Sequence, residues 1–208
     1  MSDYLTDEEQ LHRLRTWWEK NGLALIGAVV VGVAGVVGWN WYTQHRSEDV
    51  AQASDLYVEY LASQGTERET VEKTLAEQFP DSSYHVFVLL RQAEDRMAED
   101  DASGALALLE QALPICEDDH LADLVRLRTA RVQQQLDRTD AALATLGDVR
   151  SLGFRSMVQE LKGDIHMSRG ERALAHEAYS AALTEAGQGA QRPLLELKAA
   201  NTAQPDDA

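Results

Sequence analysis

The chain has 208 residues with 35 acidic against 19 basic side chains, a formal net charge of −16 at pH 7, and one cysteine. An acidic surface repels phosphate, which argues against nucleic acid as a partner and favours solubility, cationic ligands or basic unfolded segments. A lone cysteine forms no internal disulfide, so a folded domain here must stand on packing alone, even in an oxidising compartment.

Residues 22–42, GLALIGAVVVGVAGVVGWNWY, are uncharged and long enough to cross a hydrocarbon core of about 30 Å as one helix. The apolar region of a cleavable signal peptide is shorter, about 7–15 residues, and ends at a small-residue site. This stretch ends in GWNWY, so it reads as a retained signal anchor. Arg13, Arg15 and Lys20 precede it, whereas only Arg46 follows before Arg68. Cationic flanks stay in the cytoplasm, which predicts residues 1–21 inside and the rest exported. Trp17 and Trp18 before the span, and Trp39, Trp41 and Tyr42 at its end, place every tryptophan at a membrane–water interface. Ala24, Ala28 and Gly32 fall four apart on one helical face. Such spacing lets a partner helix pack closely, and a Val, Gly and Ala composition also produces it by chance.

Residues 43–200 are expected to form one helical domain. Residues 48–63 and 68–79 read as a helix pair ending at Phe79, Pro80 and Asp81, and no Gly or Pro interrupts residues 39–62, so the first helix is expected to continue from the span. Small residues then recur as Ala93, Ala105 and Ala112; as Ala130, Ala142 and Val149; and as Gly163, Ala175 and Ala182, with internal spacings of 12 and 7 each time. A bulky residue stands four after each middle anchor: Leu109, Leu146 and Tyr179. These are tetratricopeptide spacings, in which small residues let paired helices cross closely and neighbouring pairs stack. The units fall near 84–118, 121–152 and 155–188, with periods of 37 and then 33 residues, bracketing the ~34 of that repeat. The polar connectors EDDASG, LDRTD and SRGER separate the helices of each pair, and Gly170 sits where a helix-ending glycine is favoured. Pro193 opens LLELKAA, expected as a terminal capping helix, and residues 201–208 are polar and expected to be disordered. No alternating strand pattern competes. The fold class is therefore all-α: an N-terminal single transmembrane helix followed by a short tetratricopeptide-like α-solenoid.

Function in a solenoid lives on the concave surface made by the first helices. Counted from the anchors, Phe87, Leu90, Glu94 and Met97, then Leu124, Leu127, Arg131 and Gln134, then Met157, Glu160, Asp164 and Met167 should face inward. Methionine is unbranched and adapts to many apolar shapes, so this surface either receives extended peptide segments or uses its methionines to fill gaps between helices. A catalytic or cofactor role finds no motif. There is no G-x-S-x-G, no H-E-x-x-H and no phosphate-cradling glycine loop, and the six histidines are scattered. His166 and His176 could approach one another, yet nothing completes a site around them. Cys116 and His120 lie one turn apart, but two ligands do not make a metal site. The series Arg126, Arg128, Arg131 and Arg138 could bind an acidic partner, but on a helix it splits across faces and more often supplies surface ion pairs worth little individually.

The aromatic pair followed by EKNG (Trp17 to Gly22), the glycine-rich span ending in GWNWYTQHR, and then LRTARVQQQLDRTDAALATL and LGFRSMVQELKGDIHMSRG occur here in one order. In that joint order, across nearly the whole chain, the sequence resembles the YfgM family of bacterial inner-membrane proteins. The resemblance implies a single-pass protein with a periplasmic tetratricopeptide-like domain, ancillary to the SecYEG translocon and associated with the membrane-anchored chaperone PpiD. It also implies handling of unfolded secretory or outer-membrane clients, and a cytoplasmic tie to an Rcs regulator. It supplies no catalytic residues and no cofactor. Two roles follow: a client binder beside the translocon, or a scaffold docking folded envelope-assembly partners without touching clients. A membrane-bound adaptor for envelope or cytochrome assembly would keep the same topology with other partners.

Overall fold

The computed structural model describes residues 7–186 and 192–203, and among them every regular element is helical. The chain divides into two compact units, one running to Gln52 and one starting at Ala53.

The first unit contains helix α1, Asp7–Ala62, as far as Gln52, and the last turns of α1, from Ala53, belong to the second unit. As the uninterrupted sequence of residues 39–62 predicts, no break separates the apolar stretch from the polar turns that follow. Residues 22–42 rise about 1.5 Å each, roughly 32 Å in all, enough for one bilayer crossing, and α1 is long and apolar enough to span a membrane. Its large side chains from Leu23 to Val37 are exposed along this stretch, an arrangement that water disfavours and lipid accepts. Gly22 is an exception to that openness: a Cβ there would meet the indole of Trp18 at 3.1 Å. At the other end Trp41 stacks on His45 with centroids 5.4 Å apart.

The second unit contains α2, Gly65–Gln78; α3, Ser83–Ala98; α4, Ala102–Ala112; α5, Asp119–Gln135; α6, Thr139–Gly147; α7, Arg155–Ser168; α8, Arg172–Glu185; and α9, Arg192–Thr202. Helix starts follow capping chemistry: Ser82 accepts from Tyr84 N at 3.1 Å, Asp101 from Gly104 N at 2.8 Å and Asp118 from Leu121 N at 2.9 Å. Each cap satisfies an otherwise orphaned donor, an effect of about 1 kcal/mol. Asp118 and Asp119, a polar pair in the sequence, therefore begin α5.

The three helix pairs turn alike. Asp100, Asp137 and Gly170, each seven residues after the first anchor of its unit, adopt positive φ of 61°, 57° and 75°. Beyond them Asp101 N donates to Arg96 O, Arg138 N to Gln133 O and Glu171 N to His166 O, at 2.8, 2.8 and 2.9 Å. This six-to-one closure of a helix C-terminus is the Schellman arrangement, which favours a left-handed residue at the turn. The glycine expected at Gly170 thus has two aspartate counterparts.

The small anchors Ala93, Ala105, Ala112, Ala130, Ala142, Ala175 and Ala182 and the bulky Leu109, Leu146 and Tyr179 are all buried. Leu109 belongs to a core cluster formed by α3, α4 and α5, and Leu146 to one formed by α5, α6 and α7. One anchor departs from the pattern. Val149 lies beyond α6, which ends at Gly147, because the chain there is drawn toward α5 instead. The Asp123 carboxylate, buried on α5, accepts from Arg150 N at 3.1 Å, Ser151 N at 2.8 Å and Ser151 Oγ at 2.6 Å, while Arg126 donates to its other oxygen at 2.8 Å. The early end of α6 leaves a polar cavity of about 330 Å³ bordered by Leu146, Val149, Arg155, Val158, Lys162 and Glu185. The third unit differs in another way: Gly163 stands where Ala93 and Ala130 stand before it, and the ring of Tyr179 occupies the space a side chain would take.

Helix α9 packs on α8, with Leu195, Ala199 and Thr202 buried. Of the segment expected to be disordered, Asn201 and Thr202 complete α9, and residues 204–208 lie outside the described residues. Residues 187 and 188, at the end of the third expected unit, and residues 1–6 lie outside them as well.

Candidate functional site

Two cavities open along the first-helix face between α3 and α5. The larger, about 340 Å³, is walled by Leu90, Glu94 and Met97 on α3 and by Arg128, Arg131 and Val132 on α5. The smaller, about 190 Å³, adds Tyr57 from the end of α1 and Phe87, Arg91 and Leu124. Leu90, Glu94 and Arg128 border both, so the two form one groove. Its aromatic end is a cluster in which Tyr57 lies 5.8 Å from both Tyr84 and Phe87, and Tyr84 meets Phe87 edge-on at 5.9 Å. Tilted and edge-on pairs of this kind are favoured by ring quadrupoles and hold the rings in place. Behind them Arg68 lies over the Tyr60 ring, 4.6 Å from its centroid, and burial raises the Tyr60 pKa despite that cation.

The polar side of the groove is cationic. Arg91 donates to Glu94 at 3.2 Å, and Arg128 reaches across from α5 to the other oxygen of the same carboxylate. Arg131, one turn beyond Arg128, is exposed and forms no ion pair among the described residues. Guanidinium forks of this kind match carboxylates in two-pronged geometry.

The residues expected on the concave surface separate into groups. Phe87, Leu90, Glu94, Met97, Leu124 and Arg131 line the α3–α5 groove. Leu127 is 2 % exposed and enclosed between α5, α6 and α7, and Met157 packs against the same cluster from its edge. Gln134 is half-buried on the last turn of α5. Glu160, Asp164 and Met167 meet α9 instead. Lys198 Nζ donates to Glu160 at 2.8 Å and to Asp164 at 2.8 and 3.0 Å, Tyr179 OH donates to Asp164 at 2.7 Å, and Met167 packs with Ala175, Tyr179 and Ala199. Burial alone would lower the Lys198 pKa, but hydrogen bonds to Asp164 and Glu160 outweigh it and hold the amine above its ordinary value. Burial and the bond to Asp164 together push the Tyr179 phenol up.

Tyr57, Arg91 and Arg128 were not among the expected site residues. The last two carried a readable signal: Arg91 stands four after Phe87 and Arg128 four after Leu124, a spacing that shares a helix face. Tyr57 becomes a groove residue only through the fold of α1 onto α3.

Other residues singled out in the sequence have separate surroundings. His166 Nδ1 lies 2.6 Å from Glu171, whereas His176 Nδ1 lies 3.0 Å from the carbonyl of Ala199, so each ring has its own partner. The Cys116 thiol donates to Ala112 O at 3.3 Å, and burial pushes its pKa up. In the span, Ala24, Ala28 and Gly32 are exposed, with nothing within 4 Å of a Cβ placed on Gly32. Trp17, Trp18, Trp39, Trp41 and Tyr42 are exposed at its two ends.

The tetratricopeptide repeat-like domain family matches residues 15–204. The chain is similar to a protein of Haemophilus influenzae named ancillary SecYEG translocon subunit, 33 % identical over 205 residues, 97 % of this chain and 100 % of the relative. A protein of the same name from Escherichia coli K12 is 28 % identical over 205 residues, 97 % of this chain and 98 % of the relative. Another from Aggregatibacter actinomycetemcomitans is 31 % identical over 194 residues, covering 90 % and 93 %. No solved structure matches the chain.

Proposed function

Because this chain belongs to the YfgM family of tetratricopeptide repeat-like proteins, we propose that it is an ancillary subunit of the SecYEG translocon that holds exported polypeptides at the α3–α5 groove. Residues 22–42 anchor it in the inner membrane with residues 1–21 in the cytoplasm, as the cationic flank Arg13, Arg15 and Lys20 favours. The helical domain then works in the periplasm, beside a PpiD-like chaperone, on unfolded secretory or outer-membrane chains. The first 21 residues offer a short cytoplasmic surface to an Rcs regulator.

The observation that carries this reading is the open α3–α5 groove itself. It offers apolar volume from Phe87, Leu90, Met97 and Leu124 beside unsaturated guanidinium donors, the combination that binds an extended segment through side chain and main chain together. The corresponding part of the third unit is covered by α9, which confines peptide contact to the first two units.

Photocrosslinking in intact cells during active secretion tests the assignment. Crosslinkers at Phe87, Met97 and Leu124 should capture many nascent exported chains, and Gly32 and Trp39 should capture translocon or chaperone helices. Silent groove positions with productive membrane positions would leave a scaffold that docks folded partners, and client holding would be withdrawn.

A further inference from the structure

We propose that the α3–α5 groove selects acidic peptide segments, in which an aliphatic or aromatic residue is flanked by carboxylates. The chain as a whole carries −16, and that excess by itself favours basic ligands. The groove has the opposite sign. Its charged lining is Arg91, Arg128 and Arg131 against Glu94 alone, three cations and one anion, a local balance of +2.

How those charges are arranged decides what they can do. Glu94 accepts from both Arg91 and Arg128, one on each oxygen, so it is neutralised from two sides and leaves guanidinium donors over. Asp95, its neighbour in sequence, is 3.8 Å from Arg68, away from the groove lining. Arg131 has no carboxylate partner among the described residues, and it borders the larger cavity whose floor is Leu90, Met97 and Val132. An incoming Leu or Phe side chain that fills this cavity brings its neighbouring carboxylate to the Arg131 fork. At the other end, the smaller cavity places the rings of Tyr57 and Phe87 beside Arg91 and Arg128. A basic segment would meet the same guanidiniums as like charges, a juxtaposition that rejects partners more strongly than it weakens good ones.

The occupant is thus a stretch of unfolded chain with alternating apolar and acidic character. This inference rests on the peptide-holding role proposed above and specifies which segments that role would favour.

The test uses the full-length chain in lipid nanodiscs and two fluorescent peptides, one with leucines flanked by glutamates and one with the glutamates replaced by lysines. Anisotropy should give about tenfold tighter binding of the glutamate peptide, weakening as salt rises. Arg131→Glu, at an exposed and unpaired position that leaves the helices intact by circular dichroism, should erase the preference. Equal binding of both peptides, unchanged by Arg131→Glu, would overturn the charge selectivity while leaving peptide holding in place. Absence of binding by either peptide would overturn both. The last residues of the chain, AQPDDA at 203–208, are themselves acidic. A variant ending at Thr202 that binds the glutamate peptide about tenfold more tightly would assign the groove to this segment of the chain and overturn selection of an external one.

Discussion

Replacing Gly163 by alanine challenges the closest helix crossing of the third unit. A Cβ there would lie 2.4, 2.6 and 2.9 Å from Cε1, Cδ1 and Cζ of Tyr179, well inside the optimal carbon separation of about 3.5–4.0 Å. The ring is held on several sides: Tyr179 is 2 % exposed, its hydroxyl donates to Asp164 at 2.7 Å, and Lys198 stands 5.6 Å over its face. Helices α7 and α8 must then move apart, an overpacking that costs about 1–3 kcal/mol, while alanine recovers about 1 kcal/mol in helix propensity. The net expectation is a loss of up to about 2 kcal/mol, seen as a fall in Tm of up to roughly 8 °C. The first two units show the remedy. Ala93 and Ala130 stand at the equivalent position with Leu109 and Leu146 where Tyr179 sits. Tyr179→Leu should therefore make room for the new methyl, and the double variant should be more stable than the sum of the single changes by about 1 kcal/mol or more. Thermal and urea unfolding of the full-length chain, followed by circular dichroism, measures all four corners of the cycle. Strictly additive effects around the cycle would refute the close-crossing argument.

Three further outcomes are expected. Asp137→Gly should stabilise the domain by about 0.5–1 kcal/mol, because the φ of 57° burdens any residue with a Cβ; chemical denaturation reads this as a higher urea midpoint. Asp123→Asn should cost about 1–3 kcal/mol at neutral pH, since donors from Ser151, Arg150 and Arg126 lose their carboxylate. Burial pushes the Asp123 pKa up, but those hydrogen bonds outweigh it and the net shift is downward. Its stabilisation is therefore complete above the unfolded carboxyl value of about 3.9 and lost as pH falls through the lower folded value, so the gap between native and Asp123→Asn chains should narrow below about pH 4. Lys198→Ala should unlatch α9 from Glu160 and Asp164, visible as faster hydrogen exchange across residues 192–202 with α3 and α5 unchanged. The Lys198 pKa is raised in the fold, so its contribution persists at neutral pH and fades only as pH rises through the folded value; α9 protection factors, corrected for the intrinsic pH dependence of exchange, that match between pH 7 and strongly alkaline solution would contradict the latch.

Much of this architecture was legible because small residues at fixed spacing have one common use. The positions of Ala105, Ala112, Ala142, Ala175 and Ala182 announce helix crossings directly, and apolar length announces the span. The uninterrupted polar run after Tyr42 likewise announced the continuation of α1. What stayed hidden depends on tertiary partners. Asp123 reads as one acid among 35, and only the fold brings the 150–151 backbone onto it and ends α6 before Val149. The groove was half legible: helical spacing from Ala93 and Ala130 found Phe87, Leu90, Glu94, Met97, Leu124 and Arg131, but Tyr57 comes from a helix outside the repeat register. The same counting could not tell that Leu127 is enclosed, or that Lys198 comes back to Glu160 and Asp164 from α9.

The shortened α6 has a consequence for cooperativity. A solenoid holds together through nearest-neighbour couplings, and such an array gives way first at its thinnest junction. Here α6 meets α7 more sparsely than α4 meets α5, and the cavity beside Val149 and Arg155 lies at that seam. The seam depends on the Asp123 clamp and on the core that α5, α6 and α7 share, and local opening is expected to begin there. Opening at that seam would loosen α7 to α9 ahead of the α3–α5 groove, an order that amide exchange in α7 compared with α3 would read.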